Sequence, residues 1–227
     1  MATNTVEGVL RCSNGQLIPL EGEVAESTET SLSTNTTYTT TAQSAGDYGQ
    51  GWTVTNALVT CDNGAGYCYI LSQGLIAVTI PIGVKGVTGE MPALPKPYVL
   101  KPGDAVRVLN LAAATRTASL SVYTDRGECR IFYTSTAPSG GGTHALTDLQ
   151  TGNSIGSTLQ GQKILSGYFT SVDGAKIESG GAYIVTDGNN VVGSVSATNP
   201  IKKQPLSVAV FGAPIALNYT AVFKTNA

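Results

Sequence analysis

Residues 118–134, with the sequence ASLSVYTDRGECRIFYT, decide the fold class of this chain. Polar and apolar side chains alternate on both sides of the tripeptide 125–127, Asp-Arg-Gly. Successive side chains of a β-strand point to opposite faces, so Leu120 and Val122 share one face and the serines beside them share the other. A short turn with Asp and Gly between two alternating runs is typical of a β-hairpin. The stretch therefore predicts two antiparallel strands.

Short strands of the same kind follow one another outward from this hairpin. Between residues 98 and 224, apolar runs are separated by Gly, by Pro or by Asp-Gly, as at 173–174 and 187–188. No window of about twelve residues has the 3.6-residue apolar period of a helix. Roughly ten strands with turns about every 8 to 12 residues predict an all-β protein, an antiparallel β-sandwich with jelly-roll-like wiring.

Residues 1–51 have a different composition and predict an extended N-terminal arm. Several glutamates precede the range 31–41, which is almost wholly Ser, Thr and Asn around Tyr38. Few of these side chains can anchor a core, whereas β-branched Thr favours an extended backbone. We therefore expect a polar arm or an exposed edge strand over 1–51, with a disordered segment as the alternative, and a β-sandwich over 52–227.

Residues 91–97, Met-Pro-Ala-Leu-Pro-Lys-Pro, form a proline-rich connector inside the predicted sandwich. Proline fixes φ and donates no backbone hydrogen bond, so it interrupts helices and the central strands of sheets. The connector predicts a rigid crossing between the two halves of the sandwich. A true domain boundary is the alternative.

The chain carries little charge for its length. Of its 227 residues, 12% are charged, the net charge is −2, and 27 residues are glycine. Binding to nucleic-acid phosphates requires clustered cations, so direct nucleic-acid binding is not expected. A surface of hydroxyls, amides and glycine backbone costs less to dehydrate than one rich in Lys and Glu. This composition therefore favours packing against other protein surfaces.

Neither a membrane span nor a secretion signal is predicted. The most apolar window, 70–84, is interrupted by polar residues and by Pro81, and it is too short to cross a bilayer. The start of the chain, Met-Ala-Thr-Asn-Thr-Val-Glu, lacks the basic residues and the apolar run of a secretory signal. We therefore expect the chain to be made and kept inside a cell, which the initiating Met1 favours; a sequence that has already been processed is the alternative.

The four cysteines do not have the spacing of metal ligands, and no histidine cluster accompanies them. Cys61 and Cys68 flank the turn-rich range 62–66, which could place them across a hairpin as a disulfide. Two reduced, buried thiols are the favoured alternative, because no signal directs the chain to an oxidising compartment. No metal or other cofactor is expected.

Candidate catalytic residues are sparse. The single histidine, His144, follows three glycines and is expected in a solvated loop; one histidine cannot build a multi-histidine metal site or an oriented acid–base pair. Asp104, Asp125, Asp173 and Asp187 are explained by turns. Glu90, Glu128 and Glu178 remain as candidates for the two-carboxylate chemistry of glycosidases. The range 187–190 departs from the calcium-loop pattern and predicts a tight turn. No enzymatic activity is predicted.

Aromatic residues provide the candidate assembly contacts. Tyr38, Tyr48 and Trp52 lie near one another in the chain, among Ser, Thr and Gly. Because Tyr and Trp are strongly enriched in protein–protein contacts, we expect these residues to anchor an interface. Stacking on a sugar ring is the alternative.

The polar arm over 1–51, the strand succession over 98–224 and the glycine-rich loop at 139–143 together carry a resemblance. The chain resembles β-sandwich structural proteins of virus particles, either single jelly-roll capsid proteins or the decoration proteins that sit on a shell. The resemblance implies symmetric assembly of many copies in the host cytoplasm, location in the virion, and arms exchanged between subunits. The acidic arm argues against genome contact and fits an outer shell or one lined by a membrane.

Three classes of function follow from these observations. The first is a self-assembling virion protein whose partners are copies of itself and other capsid proteins. The main alternative is a carbohydrate- or receptor-binding module, whose partner would be a host receptor or glycan. An enzyme that uses two carboxylates is the third.

Overall fold

The chain folds into two compact units of strands, Met1–Ala112 (unit 1) and Ala113–Ala227 (unit 2). The structure is a computed structural model. The residues that it describes are 3–25, 29–34, 48–62, 66–84, 91, 93–110, 118–134, 142–171, 181–185, 191–196, 206–207 and 214–225. Most of these residues lie in strands, and nearly all strand pairs are antiparallel, so the predicted all-β antiparallel fold class is confirmed.

The described residues of unit 1 form two sheets. One has the order β4-β2-β1-β5-β8, with β9 also pairing with β5, and the other has the order β3-β10-β6-β7. The strands are β1 (Thr3–Cys12), β2 (Leu17–Ala25), β3 (Glu29–Ser31), β4 (Ser33–Thr34), β5 (Thr53–Cys61), β6 (Gly66–Ser72), β7 (Leu75–Ile80), β8 (Ile82–Val84), β9 (Ala93–Val99) and β10 (Ala105–Asn110).

In the part of unit 2 that the structure describes, there are also two sheets, with the orders β14-β12-β11-β15-β18 and β13-β19-β16-β17. Its elements are β11 (Ala118–Thr124), β12 (Cys129–Tyr133), β13 (Gly142–Ala145), β14 (Thr147–Asp148), the short helix α1 (Ile155–Leu159), β15 (Ile164–Ser171), β16 (Gly181–Val185), β17 (Val191–Ser196), β18 (Leu206–Ser207) and β19 (Thr220–Thr225). The predicted hairpin at 118–134 is confirmed as β11 and β12, with Leu120 opposite Phe132.

The strand order is the same in both units. β4-β2-β1-β5-β8 corresponds position by position to β14-β12-β11-β15-β18, and β3-β10-β6-β7 corresponds to β13-β19-β16-β17. The order of the strands along the chain gives the same correspondence between the units, except that β9 has no counterpart in the described part of unit 2. The pairing of β5 with β8 is parallel, whereas that of β15 with β18 is antiparallel. The chain therefore contains a structural repeat.

Backbone hydrogen bonds repeat along with the strands. In the first hairpin of unit 1, the N–H of Gly15 donates to the carbonyl of Cys12 at 3.0 Å, and in unit 2 Gly127 donates to Thr124 at the same distance. Both glycines have positive φ, 82° and 80°, a region that glycine adopts without strain. Further matched pairs are Leu32 N–H to Val106 and Leu146 N–H to Ala221 (2.8 and 2.7 Å), and Gly51 N–H to Leu100 and Gly161 N–H to Ile215 (2.9 and 2.7 Å).

Alternate residues of the strands form the interior of each unit. In β1, Val6 and Leu10 are buried, whereas Glu7 and Arg11, one position further along, are exposed. In unit 2, Phe132 is fully buried on β12. Burying one such apolar side chain stabilises a fold by about 1.5–3 kcal/mol, so these positions tie each strand to its unit.

The structure corrects the expected N-terminal arm. Residues 3–25 form β1 and β2, and β1 is an inner strand that pairs with β2 on one side and β5 on the other. Ile18 and Leu20 on β2 are buried in the core, whereas their neighbours Leu17, Pro19 and Glu21 are exposed or half-buried. Glu21 and Glu23 lie at exposed positions of the same strand. Of the Ser- and Thr-rich range 31–41, residues 35–41 lie outside the described residues.

The structure also corrects the expected division into an arm and one sandwich over 52–227. The boundary between units falls at 112/113, well after the proline-rich range 91–97. Most of that range belongs to β9, which pairs with β5 inside unit 1. Proline is tolerated there because β9 is not an inner strand of the sheet. The jelly-roll-like wiring stays a prediction. No helix within the described ranges is long and apolar enough to span a membrane.

Gly167 on β15 gives a sharp test of this packing. A Cβ at this position would lie 2.1 Å from the backbone carbonyl oxygen of Ser121 on β11, a distance that requires a strand to move. We expect Gly167→Ala to destabilise the protein by about 2–3 kcal/mol, measured by urea unfolding. The matched control is Gly83→Ala, whose Cβ would meet only side-chain atoms at 3.6 Å or more. The packing is contradicted if both variants unfold at the wild-type midpoint.

Candidate functional site

The outward side of strands β2, β1 and β5 in unit 1 presents a continuous surface, which we call the open face. It consists of three rows of cross-strand neighbours. The acidic row is Glu21–Glu7–Thr60, the apolar row is Pro19–Val9–Leu58, and the basic row is Leu17–Arg11–Asn56. All nine side chains are exposed or half-buried, with Leu17 at 51% exposure.

A groove of about 440 Å³ lies over this face. Its lining includes Glu7, Val9, Leu58 and, from outside the three strands, Met91. Gly8 faces inward beneath the groove, where a Cβ would lie only 2.7 Å from a methyl group of Val59. The glycine therefore lets β1 and β5 approach closely under the apolar row.

Side chains of β5 brace the open face against its neighbours. The hydroxyl of Thr60 donates to the backbone carbonyl of Glu7 at 3.2 Å, and the amide of Asn56 donates to the carbonyl of Met91 at 3.2 Å. These bonds supplement the regular pairing between strands. The face is consequently a fixed part of the sheet, built on strands and not on loops.

Glu29, Tyr69 and Arg107 form a polar cluster that holds the short strand β3 to its sheet. The hydroxyl of Tyr69 donates to Oε1 of Glu29 at 2.6 Å, and Nη1 of Arg107 approaches the same oxygen at 2.9 Å. Burial raises the pKa of Tyr69 well above its usual range, and the hydrogen bond and negative charge of Glu29 raise it further, while Arg107 opposes the effect. The cluster serves the pairing of β3 with β10.

Asp104 stabilises the turn before β10, as Glu29 stabilises the pairing of β3. Its carboxylate is buried, and Oδ2 accepts bonds from the hydroxyl of Tyr98 at 2.8 Å and from the N–H of Lys101 at 2.9 Å. Burial raises the pKa of Tyr98, with a further contribution from Asp104 and an opposing hydrogen bond from Ser72. The predicted turn at Asp104 is thus confirmed, and its carboxylate closes it.

Glu128, one of the candidate catalytic carboxylates, belongs to a network in unit 2. Its Oε1 accepts from the amide of Gln162 at 2.7 Å, and its Oε2 lies 3.5 Å from Nη2 of Arg130. The hydroxyl of Thr124 donates to Gln162, and Arg130 also donates to Gln150. The network connects the β11–β12 hairpin to the start of β15. The other two candidates, Glu90 and Glu178, lie outside the described residues, as does the range 187–190.

His144 does not lie in a loop, which corrects the sequence expectation. It is half-buried on β13, opposite Phe223 of β19. The glycine-rich run before it leads into this strand, because Gly142 already pairs with Thr225. Within the part of the chain that the structure describes, no three His, Cys, Asp or Glu side chains come close enough to share a metal ion.

The structure contains no disulfide between Cys61 and Cys68. Cys61 ends β5 in one sheet of unit 1, whereas Cys68 lies on β6 in the other sheet, so the chain between them crosses between sheets and forms no hairpin. Both thiols are buried, as are those of Cys12 and Cys129. Burial raises the pKa of Cys68 far above its ordinary value, with a hydrogen bond from the backbone of Tyr69 opposing the effect.

Two of the three candidate aromatic contacts meet in the structure. The rings of Tyr48 and Trp52 pack edge to face, with centroids 5.8 Å apart and planes at 65°. Tyr48 is exposed and Trp52 half-buried, just before β5. Tyr38 lies outside the described residues. Their role as interface anchors stays a prediction.

Sequence reasoning missed the open face, although a signal for it exists. In β1 and β2, buried Val6, Leu10, Ile18 and Leu20 follow a period of two, and their neighbours along the chain are exposed or half-buried. That period is the mark of a half-buried strand. The glutamates at the outward positions hid it, since they gave the range the composition of a solvated arm.

The fold and these clusters define an all-β protein of two repeated units with an open sheet face in unit 1. Comparisons with protein-family models, with curated proteins and with solved structures gave no match.

The raised pKa of Tyr69 predicts a loss of stability in alkali. The folded state holds this proton more tightly than the unfolded chain, so its contribution is complete below the ordinary tyrosine pKa of about 10 and is lost as the pH rises above it. We expect Tyr69→Phe to lose about 1 kcal/mol near pH 8, because the bond to Glu29 is removed. Its stability should then fall less steeply than the wild type's between about pH 10 and 11. Urea unfolding at each pH provides the measurement, and equal slopes for the two proteins would contradict the assignment.

Proposed function

We propose that this chain is a structural protein of a virus particle, either a capsid subunit or a protein that decorates the shell, and that it assembles through contacts between copies. The observation that carries the proposal is the open face. Exposed Leu17 and half-buried Val9 and Leu58 lie across three adjacent strands in a chain with only 12% charged residues. Such a surface is suited to burial against protein.

The use of the charged residues supports the same proposal. Glu29 ties an edge strand, Asp104 closes a turn, and Glu128 braces a hairpin. Each of these carboxylates is explained by the fold that it supports. Their arrangement is that of a scaffold, in which polar side chains fix strands and leave the outer sheet surfaces for assembly.

The mode of assembly differs from the exchange of arms that the sequence suggested. Strands β1 and β2 belong to the sheet of their own unit, with nine paired positions between them. Removing them to clamp a neighbour would expose Val6 and Leu10. Contact between sheet faces leaves the pairing of β1 with β2 intact. We therefore propose that copies assemble through their sheet faces.

The proposal predicts that the purified chain associates. We expect sedimentation velocity over about a hundredfold range of concentration to show species larger than the monomer, growing with concentration. A glycan array on the same sample tests the alternative of a carbohydrate-binding module. A chain that stays monomeric at the highest concentration and binds a glycan as a monomer would contradict the proposal.

A further inference from the structure

In unit 2, most positions that correspond to the open face of unit 1 are buried. Because the first hairpins of the two units match, the residues on β11 and β12 that correspond to the open face can be identified from the shared register. In unit 2 five of the six positions are buried, namely Ser119, Ser121, Tyr123, Cys129 and Ile131, and the sixth, Tyr133, is half-buried. In unit 1 the six matched residues are exposed or half-buried: Glu7, Val9, Arg11, Leu17, Pro19 and Glu21.

The buried and the exposed versions of the face differ in charge. The five buried positions of unit 2 carry no charge, whereas their counterparts in unit 1 include Glu7 and Arg11. In unit 1 the charges restrict what can bury the face, because a buried charge requires a partner of opposite charge.

Glu7 and Arg11 of unit 1 form a self-complementary pair of charges. Glu7 and Arg11 lie two residues to either side of Val9 on β1, at about 7 Å each along the strand. Val9 is the centre of the apolar row, with Pro19 and Leu58 beside it. Rotating the face by 180° about this row exchanges the acidic row with the basic row and places the apolar row on itself.

We propose that the open face of unit 1 is covered by the open face of a second copy of this chain, around a two-fold axis along the row Pro19–Val9–Leu58. In this pair, Glu7 of each copy faces Arg11 of the other, and the apolar rows pack together across the axis. Such an interface is isologous, because the same patch serves both subunits. Aligned packing of two sheets is a common arrangement, with a separation of about 10 Å.

Charge exchange tests this pairing, which rests on the proposed self-assembly. Glu7→Arg and Arg11→Glu each place like charges opposite one another at two symmetric positions, so each should weaken association by at least about tenfold in sedimentation equilibrium. In the double variant Glu7→Arg/Arg11→Glu, opposite charges again face each other at positions 7 and 11. Its affinity should therefore return to within about threefold of the wild type. The control is Arg126→Glu, which makes the same change of charge as Arg11→Glu but at an exposed turn of unit 2. It should leave the affinity unchanged.

A second variant tests the axis independently of the ion pairs. Val9→Asp would place two carboxylates opposite each other at the two-fold axis, and we expect it to weaken association as strongly as the single charge reversals. Circular dichroism and the melting temperature show whether each variant is folded. Since all three positions face outward, we expect wild-type values.

The outcomes separate the pairing from the broader proposal. Wild-type assembly in both single variants and in Val9→Asp would overturn the pairing and leave self-assembly in place. A double variant as weak as the single ones would overturn the facing of Glu7 and Arg11. A wild-type chain that never associates would overturn both proposals together.

Discussion

Each unit of this protein depends on the middle strand of its larger sheet, which is paired on both sides. In unit 1 that strand is β1, held between β2 and β5; in unit 2 it is β11, held between β12 and β15. The double pairing satisfies the backbone of the strand within the sheet. It also fixes the register, so a shift of one residue would move Val6 and Leu10 from the core to the surface.

The close approach of backbones follows from this constraint. Gly8 on β1 and Gly167 on β15 lie where a side chain would collide with the neighbouring strand. The two hairpins that begin the units turn at Gly15 and Gly127, both with positive φ. The repeated strand order is thus accompanied by repeated hydrogen bonds, although few matched positions in the two units carry the same residue.

Parts of this architecture could be predicted from the sequence, and the reasons for the rest are physical. The hairpin at 118–134 was predictable because its turn and its alternation agree. The core strands β1 and β2 were not, because outward glutamates hide their apolar period. The repeat could not be predicted from the sequence, because its matched positions are separated by a variable 110 to 115 residues. Gly51 with Gly161 and Leu100 with Ile215 show this variation, which is set by loop lengths. Tertiary contacts also placed Cys61 and Cys68 in different sheets, which their short separation does not reveal.

The two similar units differ in one respect: unit 1 leaves the outward face of β2, β1 and β5 open, whereas unit 2 buries most of the matched positions on β11 and β12. Hydroxyl-radical footprinting measures side-chain exposure on both faces and tests this difference most directly. The account predicts that Leu17, Leu58 and Met91 lose reactivity when the chain assembles, while Leu75, 64% exposed at the β6–β7 turn, keeps it. Equal reactivity of Leu17 and Leu58 in the assembled and the dissociated protein would contradict the account.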